Sequence, residues 1–421
     1  MRVLHSSDWH LGQHFMGKSR EPEHRAFLRW LIDQVRELGV DALIVAGDIF
    51  DTGTPPSYAR RLYNHFIVEL RETGCQLVVL GGNHDSVSTL HESRELLACL
   101  DTRVIGGVTE DPGDQVITLH RQDGTPGAVL CAIPYLRPRD LLESHAGESR
   151  EYKRDALASA IREHYTVIYE LARAQREALL ASQAAESGAE QALPIIATGH
   201  LTTVGGQISE SVRELYIGTL EAFPAAAFPP ADYIALGHLH RAQKVAGTEH
   251  IRYSGSPIAL SFDESTRGKQ VLLVDFAGGA LDSVKEIEVP VWQPLLSLRG
   301  SLEELADQLV AHFEGEPERE TTTWLEVEVE TDDYLSDLQL RVQELLADLP
   351  VEILRIRRKR AGAAASLQTQ ARETLQELSV DEVFRRRLAL EELDDVTRAR
   401  LSVAFENLRA ELDESDVGEA P

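Results

Sequence analysis

Apolar residues in this chain follow two alternating rhythms over its first 105 residues. Short uninterrupted runs, ALIVA at 42–46 and LVVL at 77–80, are long enough for buried strands and too short for helices. Between them the spacing becomes helical. Phe27, Leu28, Leu31, Val35 and Leu38 mark one face of a helix over 19–38 that closes on Gly39. Pro55, Pro56 and Ser57 open a second helix, carrying Leu62, Phe66, Ile67 and Leu70 and ended by Gly74. Strand, helix, strand, helix, strand predicts a parallel sheet, because crossover helices return the chain to the same end.

Residues 106–135 read as further strands and turns, 150–181 as an alanine-rich helix and 182–193 as a polar connector. Strands resume with the runs 195–197, 233–236 and 270–276. Ala277, Gly278 and Gly279 form a soft boundary. After it a helix at 301–313, an alternating strand at 323–330, a helix at 334–349 and a strand at 351–356 predict a small α/β unit. The tail from 379 to 413 reads as two helices, with a capping box at Ser379 and Glu382 and apolar stripes of Phe384, Leu388, Leu401, Phe405, Leu408 and Leu412. A long charged tether precedes them, so a partner surface is preferred to the chain's own core.

Side chains with metal chemistry cluster directly after the apolar runs. Val3 and Leu4 lead to Asp8 and His10; 42–46 leads to Gly47, Asp48 and Asp51; 77–80 leads to Gly81, Gly82, Asn83, His84 and Asp85. The run 195–197 leads to Gly199 and His200, and 233–236 leads to Gly237, His238 and His240. Glycine stops a strand and lets the backbone turn sharply. The donors therefore emerge at strand carboxyl ends, where open α/β sheets place their ligands. One His or Asp after a strand is ordinarily a solvated loop residue; repeated after five runs, the pattern points to a metal and phosphate centre. Histidine and carboxylate donors with one Asn oxygen suit manganese or iron better than calcium.

Asp8-x-His10, Gly47-Asp48-x-x-Asp51, Gly82-Asn83-His84-Asp85, Gly199-His200 and Gly237-His238-x-His240 resemble the five signatures of calcineurin-like metallophosphoesterases. The stretches LHSSDWHLGQ, VAGDIFDTG, GGNHDS, IATGHLT, YIALGHLHRAQ, YSGSPIALSFDE and ELSVDEVFRRRLALEELD resemble the bacterial DNA-nuclease branch of that family, over nearly the whole chain. The resemblance implies an α/β metallophosphoesterase sandwich at 1–276, a small α/β capping domain at 277–358 that shapes a DNA groove, and a tether with C-terminal partner-binding helices at 359–421. It also implies two divalent cations, Mn2+ first, with Mg2+ or Fe2+ as alternatives. Asp8, His10, Asp48 and His240 would hold one and Asp48, Asn83, His200 and His238 the other, with Asp48 bridging. Such a pair, ~4 Å apart, activates water near neutral pH and clamps a phosphoryl group for in-line attack. His84 would bind neither ion and would donate to the leaving 3′ oxygen, oriented by Asp51.

The implied activities are ATP-dependent 3′–5′ exonuclease action on duplex ends, single-strand endonuclease action and hairpin cleavage, in DNA replication, recombination and repair. The implied partner is an ABC-type coiled-coil ATPase bound through 379–413, with a homodimer formed near 56–73 and 92–100 inside a heterotetramer. For the 150–181 helix, a solvated place on the rim is preferred to a DNA-contacting insertion. A protein Ser/Thr phosphatase shares the metal core, but that family continues its second motif with Arg-Gly, where Thr52 and Gly53 stand here. A cyclic-nucleotide phosphodiesterase would need neither cap nor tail. A non-enzymatic adaptor is disfavoured because every ligand position is filled.

Charge qualifies this picture. Lys and Arg number 42 against 69 Asp and Glu, a net −27 in 421 residues, which is unfavourable for unaided binding to DNA phosphates. Arg355, Arg357, Arg358, Lys359 and Arg360 form one dense basic run, equally open to a phosphate contact and to a solvated tether. Cys75, Cys99 and Cys131 lack CxxC spacing, so neither a disulfide framework nor a zinc knuckle is indicated. The amino terminus leaves no room for a signal peptide, and no apolar run approaches the ~20 residues of a membrane span. A soluble cytoplasmic protein is the expectation.

Overall fold

The strand runs become the inner strands of two stacked sheets in the computed structural model, which describes residues 1–142, 149–187, 192–212, 222–313, 321–330, 338–347, 349–359 and 401. The first sheet has the order Ala280–Val289, Lys269–Ala277, Arg2–Ser6, Ala42–Ala46, Gln76–Leu80, Thr102–Ile105. From Arg2–Ser6 to Thr102–Ile105 the pairs are parallel, as the intervening helices Glu21–Leu38 and Ser57–Arg71 require. Lys269–Ala277 runs antiparallel to Arg2–Ser6, so the sheet is mixed. The chain reaches that strand from the second sheet, not through a crossover helix.

The second sheet has the order Gln243–Lys244, Ile251–Tyr253, Tyr233–Gly237, Ile195–His200, Pro126–Cys131, Val116–His120. Val3, Ile44, Val78 and Leu80 of the first sheet face Leu130, Ile196, Tyr233 and Ala235 of the second across a buried layer. The outer face of the first sheet packs Leu43, Val45, Leu77 and Val79 against Phe27, Leu31, Leu62 and Phe66 of the two helices. Burial on both faces explains why these strands are apolar without alternation.

The helix Arg150–Ser187 covers the second sheet's outer face. Its Leu157, Ile161, Tyr165, Ile168 and Ala172 are buried against Val129, Ile195, Ile234 and Leu236. The expectation of a solvated rim helix is therefore wrong; one face is core. The helix also runs past 181, because the added residues SQAAES contain neither Gly nor Pro to stop it.

Several strands escaped the sequence reading, Ala280–Val289 and Leu295–Gly300 among them. Ala280–Val289 hairpins back on Lys269–Ala277, with Gly278 and Gly279 at φ 57° and 80° making the turn. The Gly pair is thus a hairpin within the first sheet and not a domain boundary. The smaller unit begins with Leu295–Gly300, which pairs with Thr323–Glu330, followed in the sheet by Val351–Lys359. Helices Leu302–Phe313 and Leu338–Leu346 place Leu305, Leu309, Val342 and Leu346 against Leu325, Val327 and Val329. Arg355, Arg357, Arg358 and Lys359 lie in its last strand, where Arg355 and Arg357 pair with Glu326. They are not a tether.

Met1–Glu330 and the described residues from 338 to 358 belong to one compact unit. The tail helices expected at 379–413 lie outside the described residues, apart from Leu401. Among the described residues no helix is long and apolar enough to cross a membrane.

Candidate metal centre

The loops at the strand carboxyl ends are bent by backbone conformations that side-chain-bearing residues seldom adopt. Asp8, His10, Asp48 and His238 have φ of 54°, 47°, 50° and 97°. Such strain persists where the surroundings enforce it, and it concentrates at functional sites. Asp8 N–H donates to Gly47 O and His10 N–H to Asp48 O, each at 3.0 Å, which locks the first two turns together. The glycines before the ligands are there for closeness. A Cβ on Gly47 would lie 2.2 Å from His200 Nδ1, and one on Gly82 would lie 2.1 Å from Asp48 Oδ1.

Three overlapping donor groups result among the described residues, one of them His10, Asp48 and His84. Candidate ligand atoms of Asp8, His10 and His240 lie within 4.8 Å of one another, as do those of Asp48, His200 and His238. Asp48 stands between them, its Oδ2 3.2 Å from His200 Nε2 and 3.7 Å from His10 Nε2. Asn83 Oδ1 is 2.8 Å from His200 Nε2. All the residues predicted as metal ligands therefore converge, four carried by the first sheet's loops and three by the second's.

The histidines are oriented through Nδ1, the usual arrangement behind a ligating Nε2. His200 Nδ1 meets Ala46 O at 2.9 Å, His10 Nδ1 meets Asp51 Oδ1 at 3.1 Å, and His240 Nδ1 meets Ser211 Oγ at 2.6 Å. Among the described residues, the buried His10 Nε2 and His238 Nε2 find no hydrogen-bond partner, a costly arrangement that a cation would relieve. Burial lowers the His200 pKa, but the Asp48 charge overrides it and raises it to about 9. The Asp48 carboxyl stays well below its usual range although burial opposes this, held there by His200 and then His10. This field favours added positive charge, and the donor set fits two divalent cations.

His84 differs from the four ligand histidines in being only half-buried. Its Nδ1 donates to Asp51 O at 2.7 Å, its backbone N–H donates to Asp48 Oδ1 at 2.9 Å, and its ring meets His10 edge-on at 4.6 Å. Asp51 thus meets the His84 ring through its backbone carbonyl, while its carboxylate meets His10. Asp85 is a tie between loops. Its carboxylate accepts from Gly82 N, Ile49 N and Phe50 N at 2.9, 3.1 and 2.9 Å.

Sequence reasoning missed Ser211 and Glu264, which sit behind His240. Glu264 Oε1 is 3.2 Å from His240 Nδ1. Its only sequence signal is an acidic residue ending the YSGSPIALSFDE stretch.

Residues 1–242 match the family model described as calcineurin-like phosphoesterase. Residues 291–392 match one described as the Type 5 capsule protein repressor C-terminal domain. The chain is 54% identical over 405 residues to SbcD of the nuclease SbcCD of Escherichia coli K12, covering 96% of this chain and 97% of the relative. The SbcD of Rhodobacter capsulatus is 38% identical over 71% of each chain, and that of Bacillus subtilis 30% identical over 80% of this chain and 81% of its own. With its five loop signatures assembled into one donor set, the chain belongs to the calcineurin-like phosphoesterases and, within them, to the SbcD family of nucleases.

Proposed function

We propose that this chain hydrolyses DNA phosphodiester bonds as the metal-dependent nuclease component of an SbcCD-like complex. The observation that supports the reading is Asp48, buried with its Oδ2 3.7 Å from His10 Nε2 and 3.2 Å from His200 Nε2. Asp8, His10, Asp48 and His240 would hold one divalent ion and Asp48, Asn83, His200 and His238 the other, Mn2+ first with Mg2+ or Fe2+ as alternatives. When bound, the ions supply an activated water and neutralise charge on an in-line displaced phosphoryl group. His84 donates a hydrogen bond or proton to the leaving 3′ oxygen from a ring whose Nδ1 is fixed by Asp51 O. Its half-buried position suits a group that must reach substrate.

The finer reading is ATP-dependent 3′–5′ exonuclease action on duplex ends, single-strand endonuclease action and opening of hairpins. Residues 379–413 would bind an SbcC-like coiled-coil ABC-type ATPase, and two copies would associate through the helix Ser57–Arg71 and residues 92–100. Exposed Val68 and Leu96 on those segments support a contact there. The net charge of −27 supports a partner that contributes DNA affinity. The reading is of a cytoplasmic protein. The functional division is a nuclease domain, 1–276 together with its hairpin strand, then a cap, then the partner-binding tail.

The test is manganese-dependent hydrolysis of a duplex DNA end set against a phosphopeptide, with anomalous scattering from manganese-soaked crystals. DNA cleavage with two anomalous peaks flanking Asp48 is the expected result. Phosphopeptide hydrolysis without DNA cleavage would replace the nuclease with a phosphatase.

A further inference from the structure

Behind His240 lies a buried charged knot that no ligand assignment uses. Glu264 is 3% exposed and stands in the short turn Phe262–Glu264. Its Oε1 faces His240 Nδ1 at 3.2 Å and accepts a hydrogen bond from the Ser211 hydroxyl, which itself meets His240 Nδ1 at 2.6 Å. Its Oε2 accepts from Lys269 Nζ at 2.6 Å, and Lys269 also donates to His240 O at 3.1 Å and to Ser256 Oγ at 2.8 Å. Ring and backbone of His240 are therefore both gripped by one ion pair.

The same turn touches the smaller unit. Phe262 is buried with Phe15 and Trp324, and Trp324 belongs to the strand Thr323–Glu330. Phe15 stacks on Trp324 with centroids 5.7 Å apart and meets Phe262 edge-on at 5.0 Å. The Arg355 guanidinium, from the last cap strand, lies 5.7 Å over the Phe262 ring. The cap contact and the carboxylate facing His240 share one turn of three residues.

We propose that Glu264 is a positioning residue for the metal ion held by Asp8, His10 and His240, and that the cap sets its place through Phe262. A buried carboxylate that accepts a hydrogen bond from the Nδ1–H of a histidine, directly or through a hydroxyl, fixes the ring and strengthens Nε2 as a ligand. Lys269 keeps that carboxylate ionised in the interior, where it would otherwise be costly. A cap that shifts on its aromatic seat would move the turn, and the ion at the first cluster would loosen while the second stayed put.

This inference rests on the two-ion reading, and one titration separates the two. Manganese binding to the full chain is followed by calorimetry and by electron paramagnetic resonance, for the parent, Glu264→Gln and Trp324→Ala. The parent should bind two ions; binding of none would overturn the metal centre itself. Glu264→Gln keeps size but removes the anionic acceptor, and should weaken one ion roughly 10- to 100-fold while the other is unchanged. Trp324→Ala leaves the buried ion pair intact and should weaken the same ion by a smaller factor. Unchanged affinities in Glu264→Gln overturn the positioning role. Unchanged affinities in Trp324→Ala overturn the link to the cap, even if the first variant proves unable to fold.

Discussion

Gly82→Ala is the most discriminating small change the structure offers. The added methyl would sit 2.1 Å from Asp48 Oδ1 and 2.3 Å from Asp48 N, whereas real Cβ contacts do not fall below 3.0 Å. A rotamer change alone cannot relieve this, because carboxylate and backbone amide are both in the way. Asp48 must retreat by about 0.9 Å to reach that limit. Its Oδ1 also accepts the His84 N–H, so the bridge and the proposed proton donor shift together. Misplacement of about 1 Å in a reacting constellation costs on the order of 10² in rate. Overpacking of this kind costs about 1–3 kcal/mol, which a fold stable by ~5–15 kcal/mol survives. The assay is manganese-dependent cleavage of single-stranded DNA, run beside thermal unfolding. A folded variant with turnover within an order of magnitude of the parent would refute the claim that Gly82 is glycine to make room for Asp48.

Asp48→Ala removes a ligand from both clusters and should abolish cleavage without unfolding; two manganese ions still bound by calorimetry would sink the bridging role. His84→Ala should keep both ions and DNA affinity while losing roughly 10²–10⁴ in turnover. Loss of an ion in that variant would make His84 a ligand. Ile161→Ala, at a fully buried position under the second sheet, should cost about 2–5 kcal/mol in denaturant unfolding, and an unchanged midpoint would return the helix to the rim. Truncation before residue 378 should leave a metal-loaded enzyme that cuts short single strands but no longer co-purifies with its ATPase. Loss of its unaided activity would place the tail in the catalytic unit.

The candidate metal ligands were legible because most sit just after an apolar run and a glycine, two signals that are local in sequence. The inner strands were legible for a related reason: burial on both faces leaves them uniformly apolar. Ala280–Val289 was hidden because it is an edge strand, mostly exposed, and so carries Asp282, Lys285, Glu286 and Glu288 where an inner strand would carry valine. Arg150–Ser187 was misjudged because its buried stripe is narrow, while Arg and Glu crowd the rest of its surface. Glu264 was invisible for a deeper reason. Nothing in a sequence says that a glutamate is buried; that depends on Lys269 and His240 arriving from other parts of the chain. Which oxygen of Asp51 meets His84 and which meets His10 depends on a turn only three dimensions define.

The split of donors between the sheets has a consequence for synthesis. Asp8, His10, Asp48 and Asn83 have all left the ribosome long before His200, His238 and His240 are made. The first sheet itself waits longer, since its Arg2–Ser6 strand is flanked by Lys269–Ala277, and Met1 O accepts from Phe276 N. Domains fold as units once their chain is complete. A nascent chain therefore carries four of the seven candidate ligands on an unfinished sheet, and the donor set closes only once the later histidines and the Lys269–Ala277 strand have arrived.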